Sequence, residues 1–422
     1  MTGPSHARLA ATTLRRMCMV VAAMWVCPTW AAEPLSEVDV VRAALEGPVV
    51  QSAMQARRLR ARASGTASPW MPDPTVQVRQ EQANGPAGNA TQVVGGSVVL
   101  QPGLPGLATQ RAASLRQQAG TEWVRADTVA AVCGVREAAL ELWLADARLQ
   151  RLTAAHERLG ALEDSTVALV QAGEVAGYDG DRLALTVERH HIAVQTHEGE
   201  RAAALAALRR WVADAPLDLA LLAMAELPPL DHAVSDALAG DPTLNALRQE
   251  QRAAEASLSA ARRGAIPDLT VSGGARWDAL PDGSERTAGY EVGVAVAVPV
   301  FDRNQVAVRQ AQAHVAELDA QVAQREAAVR AAVEQSWSQA HGLGPLRDGV
   351  STDTVWQGAR RRYARGEASV DELLTVADDV EQTELARLSG VAMRRRTRLA
   401  LACTVGTFPE APIQTLIEET LP

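Results

Sequence analysis

Tyr290-Glu291-Val292-Gly293-Val294-Ala295-Val296-Ala297-Val298-Pro299 is the stretch on which the fold turns. Valine fills 292, 294, 296 and 298, while Glu, Gly, Ala and Ala fill 291, 293, 295 and 297. Successive side chains of an extended chain point to opposite faces, so the pattern predicts a strand with one valine face and one small or polar face. Pro299 has no N–H to donate and closes the ladder. A partner strand over Leu269 to Trp277 joins it through a turn-rich segment containing Pro281-Asp282-Gly283, giving a hairpin over about 268–299. Its strands have the length that crosses a bilayer when tilted. Taken alone, they fit a soluble hairpin with one wet face equally well.

The same plan occurs earlier in the chain. Thr75 to Gln82 alternates in the same way and is joined through Ala83-Asn84-Gly85-Pro86-Ala87-Gly88-Asn89 to Val93 to Gln101, a hairpin over about 73–101. Leu45-Glu46-Gly47-Pro48 returns as Leu238-Ala239-Gly240-Asp241-Pro242, Pro72-Asp73-Pro74-Thr75-Val76 as Pro267-Asp268-Leu269-Thr270-Val271, and Gly173-Glu174 as Gly366-Glu367. A near-constant offset of this kind marks a tandem duplication, with one repeat over 33–230 and a second over 231–407. Trp70 and Trp277 stand at strand ends, where interfacial aromatics are usual.

Each hairpin is followed by a long stretch with few helix breakers: 107–171 and then 181–213 in the first repeat, 304–365 and then 370–403 in the second. At about 1.5 Å per residue, sixty residues reach roughly 90 Å, far more than a globular domain needs. Gly342-Leu343-Gly344-Pro345 predicts a bend or swelling in the second of these helices. Near its start, Val308, Ala311, Val315, Leu318 and Val322 form one stripe, and Ala313, Ala316, Ala320, Ala323 and Ala327 form another on nearly the opposite side. Two opposed dry seams separated by polar strips describe a stave in a hollow wall; a helix buried in a two-layer bundle would show a single wet side. Two hairpins supply four strands, too few to close a barrel of useful bore, and an open sheet edge cannot sit in hydrocarbon. Several copies must then share one barrel, and three would give twelve strands.

Composition agrees with an unusual architecture. Only 2 Phe and 3 Tyr occur in 422 residues, and alanine is abundant, as closely approaching helices require. The net charge of −9 and the absence of dense basic runs argue against a nucleic-acid surface. Arg15-Arg16, the apolar Met17 to Val26 and Thr29-Trp30-Ala31 read as a signal peptide over 1–31. Cys27 lacks the small preceding residue that a lipidated cysteine would want. Cys133 and Cys403 are expected to be two buried thiols, and no spacing suggests a metal site or a cofactor. His190-His191 and His156-Glu157 are expected on solvated helix surface, because adjacent helical residues point in different directions and cannot chelate one ion. There is no phosphate loop and no nucleophile elbow, so catalysis is not expected. Phe408 to Pro422 is expected to be a loosely ordered tail.

Pro299-Val300-Phe301-Asp302-Arg303-Asn304-Gln305 resembles the strand-to-helix signature of the TolC family of outer membrane efflux proteins, particularly its heavy-metal (cobalt-zinc-cadmium) branch. The Ala-Leu-x-Gly-(x)-Pro start of each repeat, the Pro-x-x-Thr-Val strand start and Tyr363 to Leu374 are similar to that family too. The resemblance runs from about Leu35 to Gly406. It implies a mainly α chain with a membrane β-barrel: a homotrimer with a twelve-stranded barrel in the outer membrane lipid of a Gram-negative bacterium and a long periplasmic helical tunnel. It implies as partners a periplasmic adaptor (membrane fusion) protein and an inner-membrane RND pump. It places Gly173 and Gly366 in turns at the periplasmic tip, where Tyr363, Asp371 and Glu372, with Asp179 and Asp181 as first-repeat counterparts, line or latch the aperture. Ordinary helix N-terminal charge would account for the same acids. Among the junction residues, Pro299 ends the ladder, and Asp302 and Asn304 can cap the next helix beside Phe301, Arg303 and Gln305. The expected function is a passive conduit in a tripartite efflux system, exporting divalent heavy-metal cations. A channel for drugs or organic solutes is the alternative within the family. A periplasmic coiled-coil adaptor is the alternative outside it, although that would carry one short hairpin rather than a duplicated whole.

Overall fold

The computed structural model describes residues 35–421 except 67–68, 70, 83–89, 214–218, 224–225, 280–285 and 344–350. The expected signal peptide, Trp70, both hairpin turns and the Gly344-Pro345 half of the expected helix interruption lie outside the described residues.

The chain runs β1 (Leu35–Ser36), α1 (Glu37–Glu46), α2 (Pro48–Ser64), β2 (Thr75–Gln82), β3 (Ala90–Leu100), α3 (Pro105–Gln171) and α4 (Gly177–Arg209). It continues with β4 (Leu219–Ala220), α5 (Leu230–Gly240), α6 (Pro242–Arg263), β5 (Leu269–Ala279), β6 (Arg286–Val296), α7 (Gln305–Gly342), α8 (Thr352–Ala364), α9 (Val370–Val405) and α10 (Ala411–Thr420). The two repeats thus share an order of two helices, two strands and a long helical hairpin. In the second repeat the descending arm of that hairpin is not one helix: α7 ends at Gly342 and α8 begins at Thr352, capped by the Ser351 hydroxyl.

β2, β3, β5 and β6 form one antiparallel sheet in that order. Its register sorts the residues by face. Val78, Val94, Ala275 and Tyr290 share one row, and Val76, Gly96, Gly273 and Val292 the next. Val98, Val271 and Val294, then Leu100, Leu269 and Val296, complete an apolar face that stays open to its surroundings. The opposite face carries Gln77, Arg79 and Glu81 on β2, Ser97 and Thr91 on β3, Ser272, Arg276 and Asp278 on β5, and Glu291 and Thr287 on β6. There the Thr91 hydroxyl donates to Asp278 at 2.6 Å and Arg276 donates to the same carboxylate. Gly95 and Gly274 meet in the middle of this polar face, where a Cβ on Gly95 would come within 2.7 Å of the Gly273 carbonyl oxygen.

The helices below repeat the strand order. α2 packs on α3, α3 on α6 and α6 on α7. Ala61 of α2 abuts Gly120 of α3, where a side chain on the glycine would clash. Farther from the sheet, α3 pairs with α4 and α9, and α9 with α7 and α8. The first α7 stripe is the covered one: Leu318 is buried, and Val308, Ala311, Val315 and Val322 are partly buried. Ala313, Ala316, Ala320, Ala323 and Ala327 of the second stripe are all exposed.

The largest core sits midway along the helices. Val40, Val41, Ala44 and Leu45 of α1, Met54 of α2, Val132, Val135 and Leu142 of α3, and Leu208 of α4 pack around Phe408, Ile413 and Ile417. This corrects the expected loose tail. Residues 411–420 form α10 with Pro412 in its first turn, and Ile413, Leu416 and Ile417 lie on one buried face. Within this core Arg136 donates to Glu37 at 2.5 Å and to both carboxylate oxygens of Glu410, while Glu37 accepts the Leu222 amide. Burial works against the Arg136 charge, but the hydrogen bonds and charges of Glu410 and Glu37 outweigh it and raise its pKa. Cys133 on α3 and Cys403 on α9 are joined in a disulfide, with Cα atoms 6.0 Å apart, which corrects the expectation of two separate thiols. Their separation of 270 residues gave no hint that α3 and α9 run side by side.

Candidate functional site

The end of the helical hairpins farthest from the sheet gathers the residues expected at the aperture. Gly173, with φ +78°, turns α3 into α4, and Gly366, with φ +71°, turns α8 into α9. Both turns use the same pair of backbone bonds: Gly173 N–H to Val170 and Glu174 N–H to Leu169, Gly366 N–H to Tyr363 and Glu367 N–H to Arg362. This is the Schellman closure, whose left-handed residue carries no steric penalty as glycine. The two tips are therefore equivalent in backbone, as the repeat predicts.

Side chains then tie the hairpins together. Leu159 and Leu162 of α3, Leu183 of α4, Trp356 of α8, and Val370, Leu373, Leu374 and Val380 of α9 form one buried cluster. The Tyr363 hydroxyl lies 3.2 Å from the Thr166 hydroxyl across the two repeats. Asp371 pairs with Arg182 of α4 at 2.6 Å. One heptad farther along both helices, Asp378 pairs with Arg189 at 2.8 Å. Glu372 is occupied differently: Ser369 caps α9 by accepting the Glu372 amide, and the Glu372 carboxylate accepts the Ser369 amide in return. Asp179 lies partly exposed in the first turn of α4, and Asp181 is exposed one residue beyond Gly180.

Beyond these pairs lies a group that the sequence reading placed on solvated surface. His190 is buried, with Nδ1 2.8 Å from the Thr186 carbonyl oxygen and Nε2 2.7 Å from Glu381. Both neighbours are acceptors, an arrangement that favours the form in which both ring nitrogens donate, the imidazolium. The hydrogen bond to Glu381 raises the His190 pKa against the opposing effect of burial. His190 was misread because its partner is 191 residues away. The heptad match of Arg182 and Arg189 with Asp371 and Asp378 was a signal open to sequence reading.

At the strand-to-helix junction, Pro299 follows the last ladder residue, Val296, by three positions, and Phe301 is 93% exposed. Asp302 accepts the Asn304 amide at 2.9 Å, and Gln305 accepts the Arg303 amide at 2.7 Å. Asn304 does precede α7, but its side chain makes no cap bond; it has φ 58° and donates to the Ala261 carbonyl at 2.8 Å, fastening α7 to the end of α6. Leu104 takes the same left-handed conformation, with φ 48°, at the junction of β3 and α3. Two hydrogen-bonded turns thus replace the expected capping arrangement. Among the described residues, no group of three or more His, Cys, Asp or Glu could hold a metal ion.

Residues 233–407 match the family model described as outer membrane efflux protein. Over 100 residues the chain is 35% identical to the nickel and cobalt resistance protein CnrC of Cupriavidus metallidurans, a match covering 22% of this chain and 23% of CnrC. The chain thus spans about a quarter of that relative. Its fold is similar to the outer-membrane channel OprN, with a TM-score of 0.69 and 18% identity over 88% of this chain and 90% of that one. It is also similar to the CmeC outer membrane channel of Campylobacter jejuni, with a TM-score of 0.66 and 14% identity over 91% and 89%. The second repeat thus matches the outer membrane efflux protein family, and the fold over both repeats is that of outer-membrane channels.

Proposed function

We propose that three copies of this chain close into one conduit that spans the outer membrane and reaches into the periplasm, serving an RND pump through a periplasmic adaptor. The carrying observation is that one chain ends in matching open edges. Among the described residues β2 and β6 each lack a strand on their outer side, and the sheet between them has a continuous apolar face and a polar one. An unpaired edge costs several kcal/mol per unsatisfied group in hydrocarbon, so β6 of one copy pairs with β2 of the next. The helices continue the seam: the exposed alanine stripe of α7 faces exposed Val49, Ala56 and Ala63 of α2 from the neighbouring copy. Twelve strands with valines outward and Arg, Asp, Glu and Gln inward give a water-filled bore.

The cargo we infer is divalent metal cations. CnrC is named for nickel and cobalt resistance, and in a trimer Asp371, with Asp179 and Asp181, becomes a ring of acids that favours cations. The pairs Arg182–Asp371 and Arg189–Asp378, with the Tyr363–Thr166 contact, hold the tip in its present arrangement. The test is tolerance of a Gram-negative host to nickel, cobalt, zinc, cadmium and copper with and without the chain, its pump and adaptor being present. Loss of tolerance to one or more of these ions on deletion supports the reading. Unchanged metal tolerance with lost tolerance to organic compounds would replace the cargo. Recovery of the chain as a soluble periplasmic monomer would remove the conduit.

A further inference from the structure

We propose that His156 of α3 and His191 of α4 form a two-histidine site for a borderline divalent transition ion, represented by nickel. The fold brings these residues together across the two arms of the first-repeat hairpin, with ring centroids 5.6 Å apart and planes inclined at 42°. Two imidazoles bound to one ion through metal–nitrogen bonds of about 2.0–2.1 Å hold their centroids roughly 4.5–5 Å apart, so the rings close by up to about 1 Å to share an ion. Nδ1 of His156 is buried and has no hydrogen-bond partner, which leaves a nitrogen of this ring unmet. On His191, the Gln195 amide nitrogen lies 3.0 Å from Nε2, an exposed contact within one helix that gives way when an ion takes that nitrogen. His191 is exposed, so an ion can reach it and complete its coordination with water. The neighbouring His190 takes no part, because Thr186 and Glu381 engage both of its nitrogens.

Imidazole suits nickel, copper and zinc, and two ligands with open positions give a site from which ions exchange. An ion there would tie α3 to α4. The site does not depend on the proposed cargo: nickel binding without metal tolerance would keep the site, and tolerance without binding at the pair would remove only the site.

Titration calorimetry of the purified full-length protein with nickel chloride, against His191→Gln, His156→Gln and the control His314→Gln, provides the test. The wild type and the control are expected to bind one nickel per chain at this site. Each of the other two variants should bind it about tenfold or more weakly. Nickel should raise the unfolding midpoint of the wild type and not of His191→Gln, whose exposed position leaves packing intact. Absence of nickel binding by the wild type, or undiminished affinity in His191→Gln, would overturn the proposal.

Discussion

At the scale of residues, His190 carries the clearest consequence. Its pKa is raised above the ordinary value of 6.5 by the hydrogen bond to Glu381. A raised value means that the folded state holds the proton more tightly than the unfolded chain. The stabilisation is therefore fully present below pH 6.5 and is lost as pH rises through the folded value. The unfolding midpoint of the wild type minus that of His190→Gln should be largest in mild acid and shrink toward alkaline pH; a flat difference would contradict the imidazolium. Gly366 is a second case. Placing alanine at its positive φ should cost about 1–2 kcal/mol, read as a lowered unfolding midpoint. Little of this was legible in the sequence, because a histidine beside a histidine on a helix does not announce a carboxylate from another repeat. The glycines were legible, since only their spacing and the flanking helices were needed.

At the scale of elements, the two faces of the sheet make opposite predictions for neighbouring positions. Val292→Arg puts a charge on the apolar face and should cost about 2–4 kcal/mol of folding free energy in lipid. Glu291→Arg, on the polar face, should leave stability nearly unchanged. Urea unfolding into lipid vesicles measures both, and equal effects would contradict the assignment of faces. The alternation of Val292, Val294, Val296 and Val298 made this element legible, because a period of two survives without knowledge of neighbours. α10 was misjudged although its signal was present. Ile413, Leu416 and Ile417 have helical spacing, and Pro412 fits a first turn, but the acids around them suggested turns. Burial of Ile413 against α1 and α3 gives Ile413→Ala an expected loss of about 2–5 kcal/mol by chemical denaturation. The Arg136–Glu37–Glu410 network and the Cys133–Cys403 link belong to the same middle region. Neither was legible, because each joins segments brought together only by the finished fold.

At the scale of the whole molecule, one chain is incomplete in a regular way. Strand order β2-β3-β5-β6 and helix order α2-α3-α6-α7 coincide, so the open edges of the sheet and of the helical wall lie on the same two sides. The duplication explains this register, since each repeat contributes two strands and their attached helices. The repeat was readable from the sequence, and so was the covered stripe of α7; its exposed alanine stripe and the open sheet edges call for further copies, three in the assembly proposed above. The most direct measurement is the native mass of the protein extracted from the outer membrane in mild detergent. The account predicts three mature chains per complex, held together until the β2 or β6 edge is disrupted. A species of one chain, or recovery of the protein in the soluble periplasmic fraction, would contradict it.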